Sequence, residues 1–450
     1  MTKSKLILII ILIVCVLLGL AYSQWHNQNS RQLGVIKVTL SPPQATISVG
    51  WKIYQADQGV AILKLPPNQY TLVFSYPGYS VVKKNVTVRS QETIDLGKIY
   101  LFPKSFQEEV LVADPNLSDF KTSPTTNFLI YFKALANNKY DWLLYNRTTK
   151  ESSKFYQSPS LPQRILFAPD GKKIISLLPP HDWRVIFLPQ SIVEQEINLT
   201  NRLKEALKET GLQTVSLNNL AILQVEFLSD FSNDDLLIRT NQGIYQFNYL
   251  DKSLILLVDS PTSPFLIDNE ILYFVKDNGL LTSFDLEKNV SQQLSFFSFR
   301  DKEENLEQVK IIKLPHHNSL LSIKPNGQLY LFNNNQTDLP KLITSNVLNC
   351  SLSPNGLNLL IYRNDKRLAI YHLTDNLLTD LELYTDVQPQ WFLDDESFFL
   401  TNNTQLKIYN FLSKETWPIT NDLKNGQFLY DRSLNYLFLL TSQGLTKINL

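Results

Sequence analysis

The sequence predicts an all-β chain in which an N-terminal transmembrane helix precedes a small antiparallel β-sandwich and then a β-propeller of eight four-stranded blades. Three observations predict this. An unbroken apolar run stands near the N-terminus, strict apolar/polar alternation fills residues 34 to 101, and strong apolar strands recur from residue 128 onward. Hydrophobic residues make up 44% of the 450 and aromatics 11%, enough to fill large cores and unlike a disordered chain. The 42 basic side chains balance 42 acidic ones, which argues against a nucleic-acid grip. Cys15 sits inside the apolar run and Cys350 stands alone, so neither an intrachain disulfide nor a cysteine metal site is expected.

In the first element, Lys3 and Lys5 precede the apolar run Leu6 to Ala21, followed by Tyr22 and Trp25. Lysine on the near side and aromatic residues at the far interface orient such a run with its N-terminus in the cytoplasm. The expectation is a cytoplasmic tail over residues 1–5, a signal anchor over 6–22 and a linker over 23–33, giving a single-pass cell-membrane protein with its C-terminal domains outside. A cleaved signal peptide is the alternative, because Ala21-Tyr22-Ser23 offers small residues before Gln24. A lipoprotein is excluded, since Cys15 lies within the run rather than after it.

Residues 34–101 alternate as strands, broken at Pro42-Pro43, Pro66-Pro67-Asn68 and Pro77-Gly78. The stretch Ser41-Pro42-Pro43-Gln44-Ala45-Thr46-Ile47-Ser48-Val49, then Leu65 to Tyr70, then Pro77-Gly78-Tyr79, resembles the PEGA domain of envelope proteins. Gln44 replaces the glycine usual in that motif, and Gly50-Trp51 stands where Asp-Gly is usual. A turn after proline calls for positive φ, which accounts for Gly78.

Over residues 102–450, apolar second strands begin near Phe128, Ile174, Leu236, Ile271, Leu320, Leu359, Phe398 and Tyr436. A four-stranded sheet cannot cover both its own faces, so successive sheets stack radially. The turns Ala168-Pro169-Asp170-Gly171-Lys172 and Ser353-Pro354-Asn355-Gly356 resemble the Ser-Pro-Asp-Gly-Lys signature of TolB-type, WD-like propellers. Pro325-Asn326-Gly327 repeats the tripeptide at a different hairpin of its unit. The last unit has only three strands of its own, and Glu108 to Ala113 is read as its fourth. A seven-bladed ring with a degenerate first unit is the alternative.

Two insertions interrupt the rhythm. Asn198 to Gly211 reads as an amphipathic helix capped by Thr200 or Asn201, with Leu203, Ala206 and Leu207 packing on a blade and Gly211 as its stop. Arg300 to Leu306 reads as a solvated charged loop.

Catalytic and cofactor motifs are missing: the sequence has no Gly-x-Ser-x-Gly elbow, phosphate-cradling glycine loop, His-Glu-x-x-His or EF-hand pattern. No catalytic residue, cofactor or metal is therefore expected. His316-His317 would point apart in a hairpin, and Asp230, Asp234 and Asp235 read as a solvated hairpin tip rather than a Ca²⁺ site. Sequons at Asn85, Asn146, Asn289 and Asn335 are expected by chance in so asparagine-rich a chain.

The turns between second and third strands should gather on one face of the ring. They bring His181, Asp182 and Trp183 together with Asn138, Asn278, Asn326, Asn364 and Asn403 as a candidate ligand face suited to a glycan or an extended peptide. Packing of Trp183 between blades is the competing role. The expected function is a non-enzymatic, membrane-anchored extracytoplasmic binding scaffold of the cell envelope, whose partner is an envelope protein or a polysaccharide such as peptidoglycan. The alternative is a propeller-type lyase or glycosidase with paired carboxylates in the central channel.

Overall fold

The structure, a computed structural model, describes residues 14–20, 22–23, 33–123, 126–188, 196–211, 217–228, 234–260, 262–298, 305–315, 319–333 and 339–450. The chain divides into two compact units, residues 1–107 with Leu450, and 108–449.

The expected transmembrane anchor requires correction. Among the described residues no helix is long and apolar enough to cross a membrane. Helical backbone covers residues 14–20 and 22–23, and residues 6–13 lie outside the described set. The expectation of a span rested on the apolarity of the run alone. The single-pass membrane localisation falls with it.

The first unit packs two sheets. One places Gly34–Ser41 between Val60–Leu65 and Thr93–Tyr100, and the other runs Lys52–Gln55, Thr46–Val49, Asn68–Ser75, Val82–Val88. Gly34–Ser41 pairs with Thr93–Tyr100 in parallel, so the sandwich is mixed rather than wholly antiparallel. The first and last strands of the unit can lie side by side in that sense because the chain passes through the second sheet between them. Alternation puts Ile36, Val38 and Leu40 against Ile47, Leu72, Phe74, Val86 and Val88 in one core. Gly78 turns with φ +82, as the Pro77-Gly78 corner requires.

The second unit contains eight four-stranded sheets among the described residues. Their first strands are, for blades 1 to 8, Leu117–Thr122, Arg164–Phe167, Ile222–Phe227, Leu266–Asp268, Lys310–Lys313, Val347–Leu352, Gln390–Trp391 and Leu423–Asp431. Every second and third strand is buried on both faces, and alternate residues serve alternate neighbours. In blade 6, Leu359, Ile361, Ala369 and Tyr371 join the core shared with blade 5, whereas Leu360, Tyr362, Leu368 and Ile370 join that shared with blade 7. Such cores link blade 1 to 2, 2 to 3, 3 to 4 and 4 to 5, while Phe392 and Phe399 of blade 7 pack on Tyr430 of blade 8. Phe438, Leu440 and Leu445 of blade 8 meet Leu129, Tyr131 and Tyr145 of blade 1, which closes the ring. The unit is an eight-bladed β-propeller.

Closure uses the strand read from the sequence. Glu108–Val112 pairs antiparallel with Gly444–Asn449 as the outermost strand of blade 8. Gly444 makes that approach possible, since a Cβ there would lie 2.1 Å from the Val112 carbonyl oxygen.

The helix is Leu199–Thr210, with Leu199, Leu203, Ala206 and Leu207 buried against blades 2 and 3. Its cap is Asn198, whose side chain accepts from the Asn201 amide, rather than Thr200 or Asn201. Gly211 ends it in the left-handed region, as expected.

Candidate functional site

The first strands of the blades face inward and their polar side chains join one blade to the next. Arg164 of blade 2 pairs with Glu226 of blade 3 at 2.6 Å. The Gln224 side-chain amide both donates to the Phe265 carbonyl and accepts from the Phe265 amide, each at 3.0 Å. Asn349 of blade 6 donates to Gln388 beside blade 7 at 2.5 Å, and the Tyr430 amide of blade 8 donates to Gln390 at 3.4 Å.

Between the inner strands of blades 6, 7 and 8, with Thr122 of blade 1, lies a cavity of about 480 Å³. Its walls include Ser351, Gln388, Gln390, Asp431, Arg432 and Ser433. The aromatic side chains beside it are spent on packing: Trp391 is fully buried, with Nε1 donating to the Ser351 carbonyl at 2.9 Å. Asp431 is the one carboxylate in the lining. It accepts from the Ser433 hydroxyl at 2.6 Å and the Ser433 amide at 3.1 Å, and lies 3.4 Å from Arg147. The paired carboxylates of a glycosidase are not in this lining.

Asp431, Arg432 and Ser433 belong to the turn between the first and second strands of blade 8, so the cavity reaches the face formed by those turns. The residues singled out from the sequence occupy the opposite ends of the strands, His181 and the asparagines in second-to-third turns and Asp182 and Trp183 at the start of the third strand of blade 2. Asn138 and Asn403 hold positive φ there, at 57° and 75°. Asn278 and Asn326 accept from the amides of Leu280 and Gln328 at 3.0 and 3.1 Å, stabilising their own turns. His181 and Asn364 are exposed. Asp182 pairs with Arg184 at 2.7 Å and accepts from Asn198 at 2.8 Å. Trp183 is 1% exposed, its indole donating to the Ile222 carbonyl at 3.1 Å within the core between blades 2 and 3. It therefore packs between blades, the second of the two roles considered for it.

A second cavity, about 300 Å³, opens where blade 8 meets blade 1 and is lined by Glu109, Tyr145, Arg147, Lys150, Tyr436 and Lys447, among others. Glu109 on the closing strand lies 2.9 Å from both Lys447 and Lys150. Their hydrogen bonds, that of Lys447 first, hold its carboxyl below the usual glutamate range.

Other charged groups are likewise occupied. Asp234 pairs with Lys173 and accepts from the Tyr249 hydroxyl at 2.6 Å, while Asp235 accepts from Asn248 at 2.8 Å. Among the described residues no group of three side chains could hold a metal ion. His316, His317, Asp230, Asn335 and residues 300–304 lie outside the described set. Burial pushes Asp394 up to about 6, despite hydrogen bonds from Ser397 and the Glu396 amide. The guanidinium of Arg239, 2% exposed, pairs with both carboxylate oxygens of Glu307 at 2.6 Å and donates to the Thr262 carbonyl at 2.9 Å. Sequence reasoning missed this pair, because an arginine ending an apolar strand carries no mark of a partner 68 residues away.

The sequence profile of the NUP159/214 β-propeller matches residues 262–425, a span short of half the chain. No curated protein matches the chain. Similar solved structures include the C-terminal WD40 domain of Sif2, 10% identical, covering 76% of this chain and 98% of that one with a TM-score of 0.48. The dihydro-heme d1 dehydrogenase NirN is also 10% identical, covering 68% of this chain and 67% of its own at a TM-score of 0.49. The computationally designed Ika8 protein covers 74% and 96% at 10% identity and a TM-score of 0.43.

Proposed function

We propose that the chain is a non-enzymatic binding scaffold in which the eight-bladed propeller presents its loops and channel to a polymeric partner, a protein or a polysaccharide. The observation that carries this reading is the channel cavity. It is large enough for side chains of a partner, its walls set Ser351, Gln388 and Gln390 among apolar surface, and its single carboxylate is already paired. The sandwich unit, through residues 41–49, 65–70 and 77–79, resembles PEGA domains, and that resemblance points to a partner in the cell envelope.

The test uses the full chain against immobilised peptidoglycan, neutral and uronic glycans, and arrayed peptides. Saturable retention without any product is the expected result. Release of sugar fragments would replace the scaffold reading with that of a carbohydrate-active enzyme.

A further inference from the structure

We propose that the cavity between blades 6, 7 and 8 binds the carboxylate of an acidic peptide segment through Gln388, Gln390 and Arg432. This rests on the scaffold reading and narrows it to one partner class and one end of the channel.

The argument starts from which way two amides are turned. The Cys350 backbone amide donates to Asn349 Oδ1 at 3.0 Å, which leaves Asn349 Nδ2 as the donor to Gln388 Oε1. Gln388 Nε2 is therefore left over. At Gln390 the Tyr430 amide lies 3.4 Å from Oε1, a longer contact that favours that oxygen as the acceptor and leaves Gln390 Nε2 over. Both residues line the cavity, no group among the described residues takes up either Nε2, and neither atom is among the buried unpartnered ones. Two NH₂ groups thus remain open to the cavity, that of Gln388 turned by the Asn349 side chain of blade 6 and that of Gln390 by the Tyr430 amide of blade 8.

Arg432 adds charge to these donors. It is exposed on the turn beside them, and its Nη2 touches the Trp391 carbonyl at 3.5 Å. Asp431, the one carboxylate within the lining, is bonded to Ser433 and paired with Arg147, while Asp395 outside the lining feels the Arg432 charge and offsets part of it. A site with a surplus of donors and one cation suits an acceptor-rich anion. A peptide fits better than a polysaccharide because Trp391 and Tyr430 are 0% and 7% exposed, leaving no open aromatic face for a sugar ring.

The test measures fluorescence anisotropy of a labelled Gly-Glu repeat peptide, its Gly-Gln counterpart and a polygalacturonate chain with the full-length protein. One variant combines Gln388→Glu and Gln390→Glu. Each new carboxylate can still accept from Asn349 or Tyr430, so the fold keeps its internal bonds while the free donors disappear. Arg432→Gln, on an exposed turn, is the second variant.

The Glu peptide should bind about tenfold or more tightly than the Gln peptide, and either variant should weaken it by about tenfold. Equal binding of the two peptides, affinity unchanged in both variants, no peptide binding up to millimolar concentration, or preference for polygalacturonate would each overturn the site. Probe binding that survives both variants places recognition on another face and leaves the scaffold reading standing. Conversion of a probe to product would instead overturn the scaffold reading itself.

Discussion

Arg147 and Asp431, 284 positions apart, meet at 3.4 Å where the first blade joins the last. Arg147 also donates to the Thr126 carbonyl at 2.7 Å and lies 5.7 Å from the Phe438 ring centroid. One side chain thereby ties two turns of blade 1 to blade 8. Both partners are only 12% exposed, so removing one leaves the other poorly solvated. Arg147→Ala should cost about 1–3 kcal/mol, seen as a lower urea midpoint. A midpoint equal to wild type would show the contact to be idle.

Glu109 makes the closing strand sensitive to acid. Its folded pKa is depressed by Lys447 and Lys150, so the unfolded state binds more protons and the contribution is complete above the unfolded value. It should begin to be lost below about pH 4.3 and disappear as pH falls through the folded value. Hydrogen-exchange protection at residues 108–112, corrected for the slower intrinsic exchange in acid, should therefore fall more steeply on acidification than protection in blade 6. Glu109→Gln should remove that difference, and an unchanged acid response in the variant would contradict the assignment.

Trp183 supports the core between blades 2 and 3. Trp183→Ala should cost about 3–5 kcal/mol and leave the Ile222 carbonyl without its indole donor. Trp183→Phe should recover much of the packing but not the hydrogen bond. Thermal unfolding of the two variants separates these contributions, and a small loss in both would return Trp183 to the list of surface ligands.

The Arg239–Glu307 pair should be asymmetric. Arg239 is buried, whereas Glu307 has a side chain 42% exposed that water can reach. Glu307→Ala strands a buried cation and should cost about 3–5 kcal/mol, while Arg239→Met removes the cation and should cost less. Equilibrium unfolding of the two single variants decides it, since the reverse order would mean that Arg239 is stabilised by other groups.

Much of the fold was legible because each blade repeats one physical requirement. Phe128, Ile174, Leu236 and the later strand starts mark strands buried on both faces, a pattern that survives even where the Pro-Asp-Gly turn is lost. The closing strand was legible for the same reason, since three strands in the last unit left an edge without a partner. The parallel pairing of Gly34–Ser41 with Thr93–Tyr100 was not, because alternation gives the face of a residue and not the direction of its neighbour. The cavity escaped notice because Asn-Gly turns advertise positive φ rather than binding. Gln388 and Gln390, by contrast, look like ordinary polar residues until the amides that orient them are known. Asn198 and Asn201 are equally good caps on paper, and only the helix start distinguishes them.

The pairing of Glu108–Val112 with Gly444–Asn449 also sets an order of events. During synthesis this strand is made before any of the blades' first strands, and its partner is made after all eight of them. Neighbouring blades can assemble in sequence on the nascent chain, but the lap joint can be sealed only at the end. The entropy of closing so long a loop rises merely logarithmically, by about 0.6 kcal/mol for each doubling of length. Late sealing should thus slow maturation far more than it weakens the finished ring. Until then, the bare edges of the first strand and of Gly444–Asn449 are open to pairing with a second chain, which makes crowding during synthesis the main hazard of this architecture.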